Sequence, residues 1–412
     1  MRDAPDDTAR SGPQHARSRD IDTHAAVPLP SIPTTEDRDM STKIEASPQD
    51  AEPEPTAGEH PGVGEHREHR DSLIDTDDVP PEVAIRHLIF GGWTAQALRT
   101  MVSLDLADHL SHGSRTVDDL AHAAAVDARS LRRLLAVLAA VGLCERTNDS
   151  TVALTPLGSL LRSDTQGSLK DVASFITAPW MLRVWEALPD AVRTGASVFH
   201  DVHGIEVWEY LTANPEQGTV FDAAMTGSVE GRAAAILDTC DFSTATTIVD
   251  VGGGQGRMLA ALLAANPQMR GVLVDRPEAL AAAGPLLTAA GVSDRCKLTA
   301  ADFFKAVPAG GDVYVLALIL HDWPDRDALE ILRVCAAAMS PGARLIIVEQ
   351  VLPPGGPRNV LPALMDVNML IMLGGQERTG DEYEALLDAS GFTDTVVTTT
   401  SGLWSVVEAT KR

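Results

Sequence analysis

The chain has 412 residues, a hydrophobic fraction of 44% and a formal net charge of -25. Its length exceeds the size at which a single core usually keeps growing, so more than one domain is predicted. The negative charge argues against a nucleic-acid partner, because DNA binding depends on Lys and Arg residues that neutralise phosphates.

Cysteine usage and hydropathy predict a cytoplasmic protein with no membrane partner. Cys144, Cys240, Cys296 and Cys335 stand far apart and form no C-x-x-C motif, which argues against a zinc site or a disulfide framework. We expect them to be small buried hydrophobes in a reduced compartment. No apolar stretch reaches the ~20 residues that a membrane span needs, and a secretory signal is missing at the amino terminus.

Residues 1–80 are predicted to be a disordered acidic tail. They contain no Phe, Trp or Tyr and are rich in Pro, Asp, Glu, Ser and Thr, a composition that cannot bury enough apolar surface to fold. His60, His66 and His69 could bind a metal, but a solvated polar tail is the favoured interpretation. Met40 is an alternative start of the protein.

An amphipathic helical segment opens the domain predicted for residues 81–180. From Pro81 to Leu110 the apolar residues recur at helical spacing, which indicates one or two helices with an aromatic patch at Phe90 and Trp93.

The next segment has the pattern of a winged helix. Thr116 is a candidate N-cap of a short helix, and a second helix is predicted from about Ala128 to Val141 with Gly142 as its stop. Two short strands are predicted around Asn148–Asp149.

A winged helix has two interpretations. In a transcription factor its second helix would enter a major groove, with Arg129, Arg132 and Arg133 facing phosphates. Three arginines are thin support in so acidic a chain, so we favour a dimerisation and substrate-lid module. Residues 181–240 are predicted to be a helical linker that completes this lid.

Residues 241–412 alternate between strand-like and helix-like segments. Apolar runs such as "TTIVDV", "GVLVD" and "RLIIVEQV" are separated by helical patterns. This alternation predicts an α/β domain with a doubly wound, mostly parallel sheet that is covered on both faces. The runs "TDTVVTTT" and "LWSVVEAT" near the carboxyl end are predicted to pair antiparallel at an edge of the sheet.

The turn after the first of these strands is rich in glycine. Ligands of doubly wound sheets bind at the carboxyl ends of the strands, where Gly252 and Gly254 would let a ligand approach the backbone. A dinucleotide fingerprint, G-x-G-x-x-G, would need its third glycine at Arg257, whereas the sequence has Gly256. The turn therefore predicts a ligand without the pyrophosphate of a dinucleotide.

Two further strand ends predict an adenosine site. Asp275 ends the next strand, where a carboxylate accepts hydrogen bonds from ribose hydroxyls. Asp302 follows a third strand and could accept from an adenine amino group, with Phe303 beside the ring. Asp302 alone is equally well interpreted as a helix N-cap.

With these motifs, residues 81–411 resemble the class I S-adenosylmethionine-dependent O-methyltransferases. The resemblance is to the bacterial antibiotic and polyketide tailoring branch, which is related to plant caffeate-type enzymes, and it is most specific in "DVGGGQG", "HDWPD" and "GGQERT". It implies a Rossmann-like methyltransferase fold with a seven-stranded sheet, a winged-helix dimerisation domain, a homodimer, and S-adenosyl-L-methionine as cofactor. The implied reaction is methylation of a hydroxyl of an aromatic secondary metabolite.

The resemblance implies that His321 is the general base. A histidine can take a proton from a phenol near neutral pH, which makes the oxygen a better nucleophile. Glu349 and Glu377 resemble the carboxylates that orient this base. Glu349 is favoured as the partner of the imidazole, because a carboxylate that ends an apolar strand needs a partner. Glu377 has the alternative of capping the helix near Thr379.

The acceptor is expected to contact Asn368, which matches the family position that bonds an acceptor oxygen. Met225 and Met372 would line an adaptable apolar slot, although methionines at helical spacing are also common in cores. Trp180 is a candidate roof over a planar acceptor or a brace between domains. One departure is Ala317, where plant relatives carry a lysine near the cofactor. No carboxylate cluster resembles the magnesium-dependent catechol enzymes, so no metal is expected.

Two alternatives stay open. A winged-helix regulator could sense an adenosyl ligand, but it would need no base. A methyltransferase-fold enzyme could act on nitrogen or carbon, and replacing His321 would then leave turnover nearly intact.

Overall fold

The computed structural model describes residues 79–148, 150–227, 229–356, 359–400 and 402–412. Apart from its last two residues, the predicted tail, with its histidines and Met40, lies outside this part of the chain. Within the same ranges, no helix has the length and apolar character needed to cross a membrane.

The first described segment forms the expected helical and winged-helix elements. Thr116 caps one helix by accepting from the Asp119 N–H, Asp127 caps the next by accepting from the Ser130 N–H, and the chain leaves that helix through Gly142 at φ +79°. The three strands pair antiparallel in the order β1-β3-β2. The elements are α1 (Pro81–Ser103), α2 (Leu106–His109), β1 (Arg115–Thr116), α3 (Val117–Ala123), α4 (Ala128–Ala140), β2 (Cys144–Arg146) and β3 (Thr151–Leu154).

The start of α1 presents an apolar face that no described residue covers. Its most exposed members are Leu88, Ile89 and Trp93, which are 62%, 66% and 73% exposed. The other end of α1 is anchored, since Met101 and Val102 are buried in a core with α3 and α4. The start of α1 therefore projects from a packed domain and leaves its apolar face exposed.

A run of short helices connects this domain to the sheet. Proline and glycine interrupt the run, as at Pro179, Gly195 and Gly204, and the first six helices have at most eight residues each. The helices are α5 (Pro156–Ser159), α6 (Lys170–Ile176), α7 (Pro179–Glu186), α8 (Leu188–Thr194), α9 (Phe199–His203), α10 (Val207–Ala213), α11 (Pro215–Gly227) and α12 (Val229–Thr239).

The remaining strands form the predicted doubly wound sheet, in which β6, β5, β4, β7 and β8 run parallel. The two last strands close one edge antiparallel, as expected. The strand order is β11-β12-β8-β7-β4-β5-β6, so the direction of winding reverses at β4. The strands are β4 (Thr247–Val251), β5 (Arg270–Asp275), β6 (Cys296–Ala300), β7 (Val313–Ala317), β8 (Arg344–Glu349), β11 (Phe392–Thr399) and β12 (Ser405–Lys411), with β9 (Val351–Leu352) and β10 (Arg378–Thr379) as a separate parallel pair.

Helices cover both faces of the sheet. Alternate residues of β4 enter different cores: Ile248 packs with Leu259 on one face, and Val249 belongs to the cluster of Ile331 on the other. The reversal at β4 opens a crevice at the carboxyl ends of the central strands. The helices of this domain are α13 (Arg257–Ala265), α14 (Pro277–Leu280), α15 (Ala283–Ala289), α16 (Asp325–Ala338), α17 (Val360–Leu373) and α18 (Gly380–Ala389), with 3-10 turns at Ser293–Arg295 and Leu320–Asp322.

Candidate active site

The glycine turn after β4 lies at the floor of the crevice. Gly252 and Gly254 have φ values of +73° and +60°, which favour glycine. A Cβ on Gly252 would lie 2.4 Å from Cδ1 of Ile319, whereas a Cβ on Gly254 would meet no atom within 4 Å. The turn is thus packed tightly at its first glycine and open at Gly254.

Asp275 lies against this turn at the end of β5, as predicted. Its Oδ2 accepts the Gly254 N–H at 2.7 Å, and its Oδ1 accepts the Arg276 N–H at 2.6 Å. Burial raises the pKa of Asp275, and the two hydrogen bonds oppose this shift. Each carboxylate oxygen keeps a lone pair for a further donor.

The third strand end is only partly as expected. Phe303 lies beside the turn, since its Cε1 would be 3.5 Å from a Cβ on Gly252. Asp302 is exposed, accepts the Phe304 N–H at 3.0 Å and forms an ion pair with Lys305 at 2.8 Å. Its carboxylate therefore caps a turn, and because no helix begins there in the described ranges, the alternative of a helix N-cap is wrong. The ring of Phe303 continues into an aromatic group with Phe304 and Trp323.

His321 lies in the 3-10 turn that follows β7. Its Nδ1 is 3.0 Å from Oε1 of Glu377, and its Nε2 is 3.4 Å from Oδ1 of Asp322. Burial alone lowers the pKa of His321, but the hydrogen bond to Glu377 and the charges of Asp322, Glu377 and Glu349 outweigh it and raise this pKa to about 10. The imidazole therefore holds a proton strongly.

Glu349 contacts the backbone of this turn, and the expectation that it is the partner of the imidazole is wrong. Its Oε1 accepts the N–H groups of Ile319 at 3.1 Å, Leu320 at 2.6 Å and His321 at 3.3 Å. Its Oε2 accepts the hydroxyl of Tyr383. The chain turns back over the end of β8, so the backbone reaches this carboxylate and the ring turns toward Glu377.

Glu377 takes the role that was expected of Glu349, and it does not cap a helix. The N-cap of α18 is Thr379, which forms a capping box with Glu382. Glu377 is 5% exposed, and burial raises the pKa of its carboxyl group, opposed by the hydrogen bond with His321.

Two residues that were not predicted hold the His321 turn in place. Arg378 is fully buried and donates to the carbonyl oxygens of Leu320 at 2.8 Å and Trp323 at 2.7 Å. A Cβ on Gly375 would lie 2.0 Å from the His321 carbonyl oxygen, so only glycine allows this approach. Both residues belong to the "GGQERT" segment, which was a signal that could have identified them.

The expected acceptor residues lie together between α17 and the short helices. Asn368 is 7% exposed, and its Oδ1 accepts the indole N–H of Trp185 at 3.3 Å. Met372 is buried, and Met225 packs partly buried against the same cluster.

Trp180 lies in the interior of the helical segment. It is 3% exposed, its N–H donates to Gln217 at 2.9 Å, and its ring packs against Phe175 and Tyr210. Trp180 therefore packs among the helices of this segment, and its place as a roof over the acceptor or as a brace between domains stays a prediction. The tryptophan beside Asn368 is Trp185.

Two contacts link the helical segment to the crevice, and neither was predicted. In the glycine turn, Gln255 donates from Nε2 to Oδ2 of Asp222 in α11 at 3.0 Å. At the end of β5, the guanidinium of Arg276 lies over the ring of Trp208 in α10, 5.4 Å from its centroid. The helices α10 and α11 thus lie beside the glycine turn and Asp275.

Family comparisons match both parts of the chain. A model of the O-methyltransferase domain matches residues 185–393, which is about half of the chain. A model of the O-methyltransferase dimerisation domain matches residues 86–164, the winged-helix segment.

Individual relatives match most of the chain. Phenazine O-methyltransferase PhzM of Lysobacter antibioticus is 40% identical over 332 residues, which are 80% of this chain and 96% of the relative. The solved structure of mitomycin 7-O-methyltransferase MmcR is 35% identical, with a TM-score of 0.76 over 80% of this chain and 98% of its own. The O-methyltransferase NcsB1 from neocarzinostatin biosynthesis, solved with S-adenosylmethionine and 2-hydroxy-5-methyl naphthoic acid, is 33% identical, with a TM-score of 0.69 over 77% of this chain and 96% of its own.

Proposed function

We propose that this chain, which belongs to the S-adenosylmethionine-dependent O-methyltransferase family, methylates a phenolic hydroxyl of an aromatic secondary metabolite with His321 as the general base. The observation that carries the proposal is the buried His321–Glu377 pair, 3.0 Å apart, on a turn whose Ile319 packs against the glycine turn. S-adenosylmethionine supplies an electrophilic methyl group on its sulfonium when it is bound.

The crevice residues fit this cofactor. The open face at Gly254 and the tight packing at Gly252 form a cradle of bare backbone. Asp275, whose oxygens have free lone pairs, would accept hydrogen bonds from the ribose hydroxyls, and the adenine would lie beside the ring of Phe303. Asp302 is a weaker candidate for the adenine amino group, because its carboxylate already has two partners.

His321 would take the phenol proton on Nε2. Its Nδ1–H then donates to Glu377, which fixes the tautomer, and the carboxylates of Glu377 and Asp322 stabilise the imidazolium that forms. Only the neutral imidazole can accept this proton, and its fraction grows as the pH rises toward the pKa of His321, about 10. That pKa is close to the pKa of about 10 that is ordinary for a phenol. Proton transfer between the two is thus near balance.

Glu349 would hold the general base His321 in position. By accepting three consecutive N–H groups it keeps the turn that carries His321 in one conformation. Alignment of the reacting atoms supplies most of the acceleration in such a displacement, and the base contributes about 10²- to 10⁴-fold.

The acceptor would lie among Asn368, Met225 and Met372. A planar ring suits methionine side chains, which adapt to its outline, and Asn368 retains an N–H₂ group that can bond an acceptor oxygen. The aromatic acceptor of NcsB1 and the phenazine named for PhzM support this substrate class.

We also propose that the protein is a homodimer. The uncovered apolar face of α1, with Leu88, Ile89 and Trp93, lies inside the matched dimerisation domain. A second copy would remove this face from water.

A His321→Ala variant tests the proposed base. Transfer of the methyl group from S-adenosylmethionine to hydroxylated phenazines and naphthoates would be measured by mass spectrometry at several pH values. We expect turnover at pH 7 to fall about 10²- to 10⁴-fold. The deficit should shrink once the pH exceeds the pKa of the phenol, because a phenolate needs no base.

The exposed His200 provides a matched control, since His200→Ala should retain full turnover. If His321→Ala also kept full turnover on a phenol, the base would be wrong. If only amines or carbon acids were methylated, the hydroxyl acceptor would be wrong.

A further inference from the structure

We infer that the carboxylate of Asp222 binds the α-ammonium group of the methionine part of S-adenosylmethionine. This role rests on the cofactor assigned above, and it adds a residue from the helical segment to the cofactor site.

Asp222 lies beside the glycine turn, on the side of the helical segment. Its Oδ2 accepts from Gln255, which stands between Gly254 and Gly256 in the glycine turn. In the described ranges no Lys or Arg nitrogen lies within ion-pair distance of this carboxylate, and the side chain is open to solvent. Partial burial and the charge of Asp275 raise the pKa of Asp222, although the hydrogen bond from Gln255 and the charge of Arg276 oppose this shift.

The other two carboxylates near the turn are less suited to an ammonium. Asp250 is fully buried below the turn, where its Oδ2 would lie 2.3 Å from a Cβ on Gly253. Asp275 directs both oxygens to backbone N–H groups at the adenosyl side. An ammonium that leaves water needs a charged acceptor, and Asp222 is the carboxylate that the turn leaves accessible.

This contact would couple the cofactor to the acceptor pocket. Asp222 and Met225 are three positions apart in α11 and so share one side of the helix. An ammonium held by Asp222 would fix α11 against the glycine turn, and Met225 would be fixed with it. Binding of the cofactor would thereby complete the apolar slot.

Calorimetric titration of three adenosyl ligands tests the inference. S-adenosylmethionine and S-adenosylhomocysteine carry the ammonium, whereas 5′-methylthioadenosine lacks the amino-acid part. Asp222→Asn keeps an oxygen for Gln255 and removes only the charge. We expect this substitution to lower the affinity for S-adenosylmethionine and S-adenosylhomocysteine by about 10- to 100-fold. The affinity for 5′-methylthioadenosine should change by less than about twofold.

Glu278→Gln is the charge-matched control, because Glu278 is an exposed carboxylate of α14 whose charge also acts on Asp275. It should leave all three affinities nearly unchanged. Retained binding of 5′-methylthioadenosine also reports that Asp222→Asn is folded.

Each other outcome overturns the role of Asp222. Equal weakening of all three ligands would mean that Asp222 only packs α11 against the turn. Unchanged affinity for S-adenosylhomocysteine would mean that the ammonium binds elsewhere. If the unaltered chain bound 5′-methylthioadenosine but neither larger ligand, the amino-acid part would have no site here. If it bound none of the three, the cofactor itself would be wrong, which separates that failure from the others.

Discussion

Replacing Glu377 with Gln should lower the pKa of His321 by about 1 to 2 units. The two side chains are buried and 3.0 Å apart. A hydrogen bond to a charged group contributes about 1.5–3 kcal/mol, and one pKa unit corresponds to about 1.4 kcal/mol. Glutamine keeps the shape of the side chain but loses the charge that favours the imidazolium. The pKa of His321 should therefore fall below its value of about 10 in the unaltered protein.

The assay is a pH titration of histidine-labelled protein by NMR. The chain has 12 histidines, and the signal that disappears in His321→Gln identifies the one of interest. Asp381→Asn is the control, because it removes an exposed charge from the first turn of α18. A His321 that titrates near 6.5 in the unaltered protein, or that does not move in Glu377→Gln, would refute the electrostatic reasoning.

Two further predictions concern stability and assembly. Tyr383→Phe should lower the free energy of unfolding by about 1–3 kcal/mol, because Oε2 of the buried Glu349 loses its donor; urea denaturation measures this, and an unchanged midpoint would contradict it. Trp93→Asp, at a side chain that is 73% exposed, should convert the proposed dimer into a folded monomer of 43.7 kDa. Light scattering checks the mass, with the exposed Val192→Asp in α8 as control; a dimer that persists in Trp93→Asp would place the interface elsewhere.

Local patterns were sufficient to predict the fold and the position of the crevice. The doubly wound sheet with its antiparallel edge is confirmed, because strand and helix periods and turn residues act over a few neighbouring positions. Thr116 and Gly142 predicted the boundaries of two helices through cap chemistry. The glycine turn and Asp275 could be placed at one edge because parallel strands bring their carboxyl ends together.

The pairing of side chains was decided by tertiary structure. Whether Glu349 or Glu377 meets the imidazole of His321 depends on a turn in which Leu318 adopts φ +56°, and this turn presents three N–H groups to Glu349. Its conformation is set by the buried contacts of Arg378 and the close approach of Gly375, both distant in sequence.

Packing between distant segments also decided where the side chains of the helical segment lie. Trp180 and Trp185 lie in the same helix, α7, but packing buries one and brings the other to Asn368. Asp222 in α11 meets Gln255 in the glycine turn, a contact that no periodicity encodes. The sequence by itself determined which elements form and where their ends meet, since these depend on neighbours along the chain. Which side chains touch at those ends depended on packing between distant segments, and only the tertiary structure decided it.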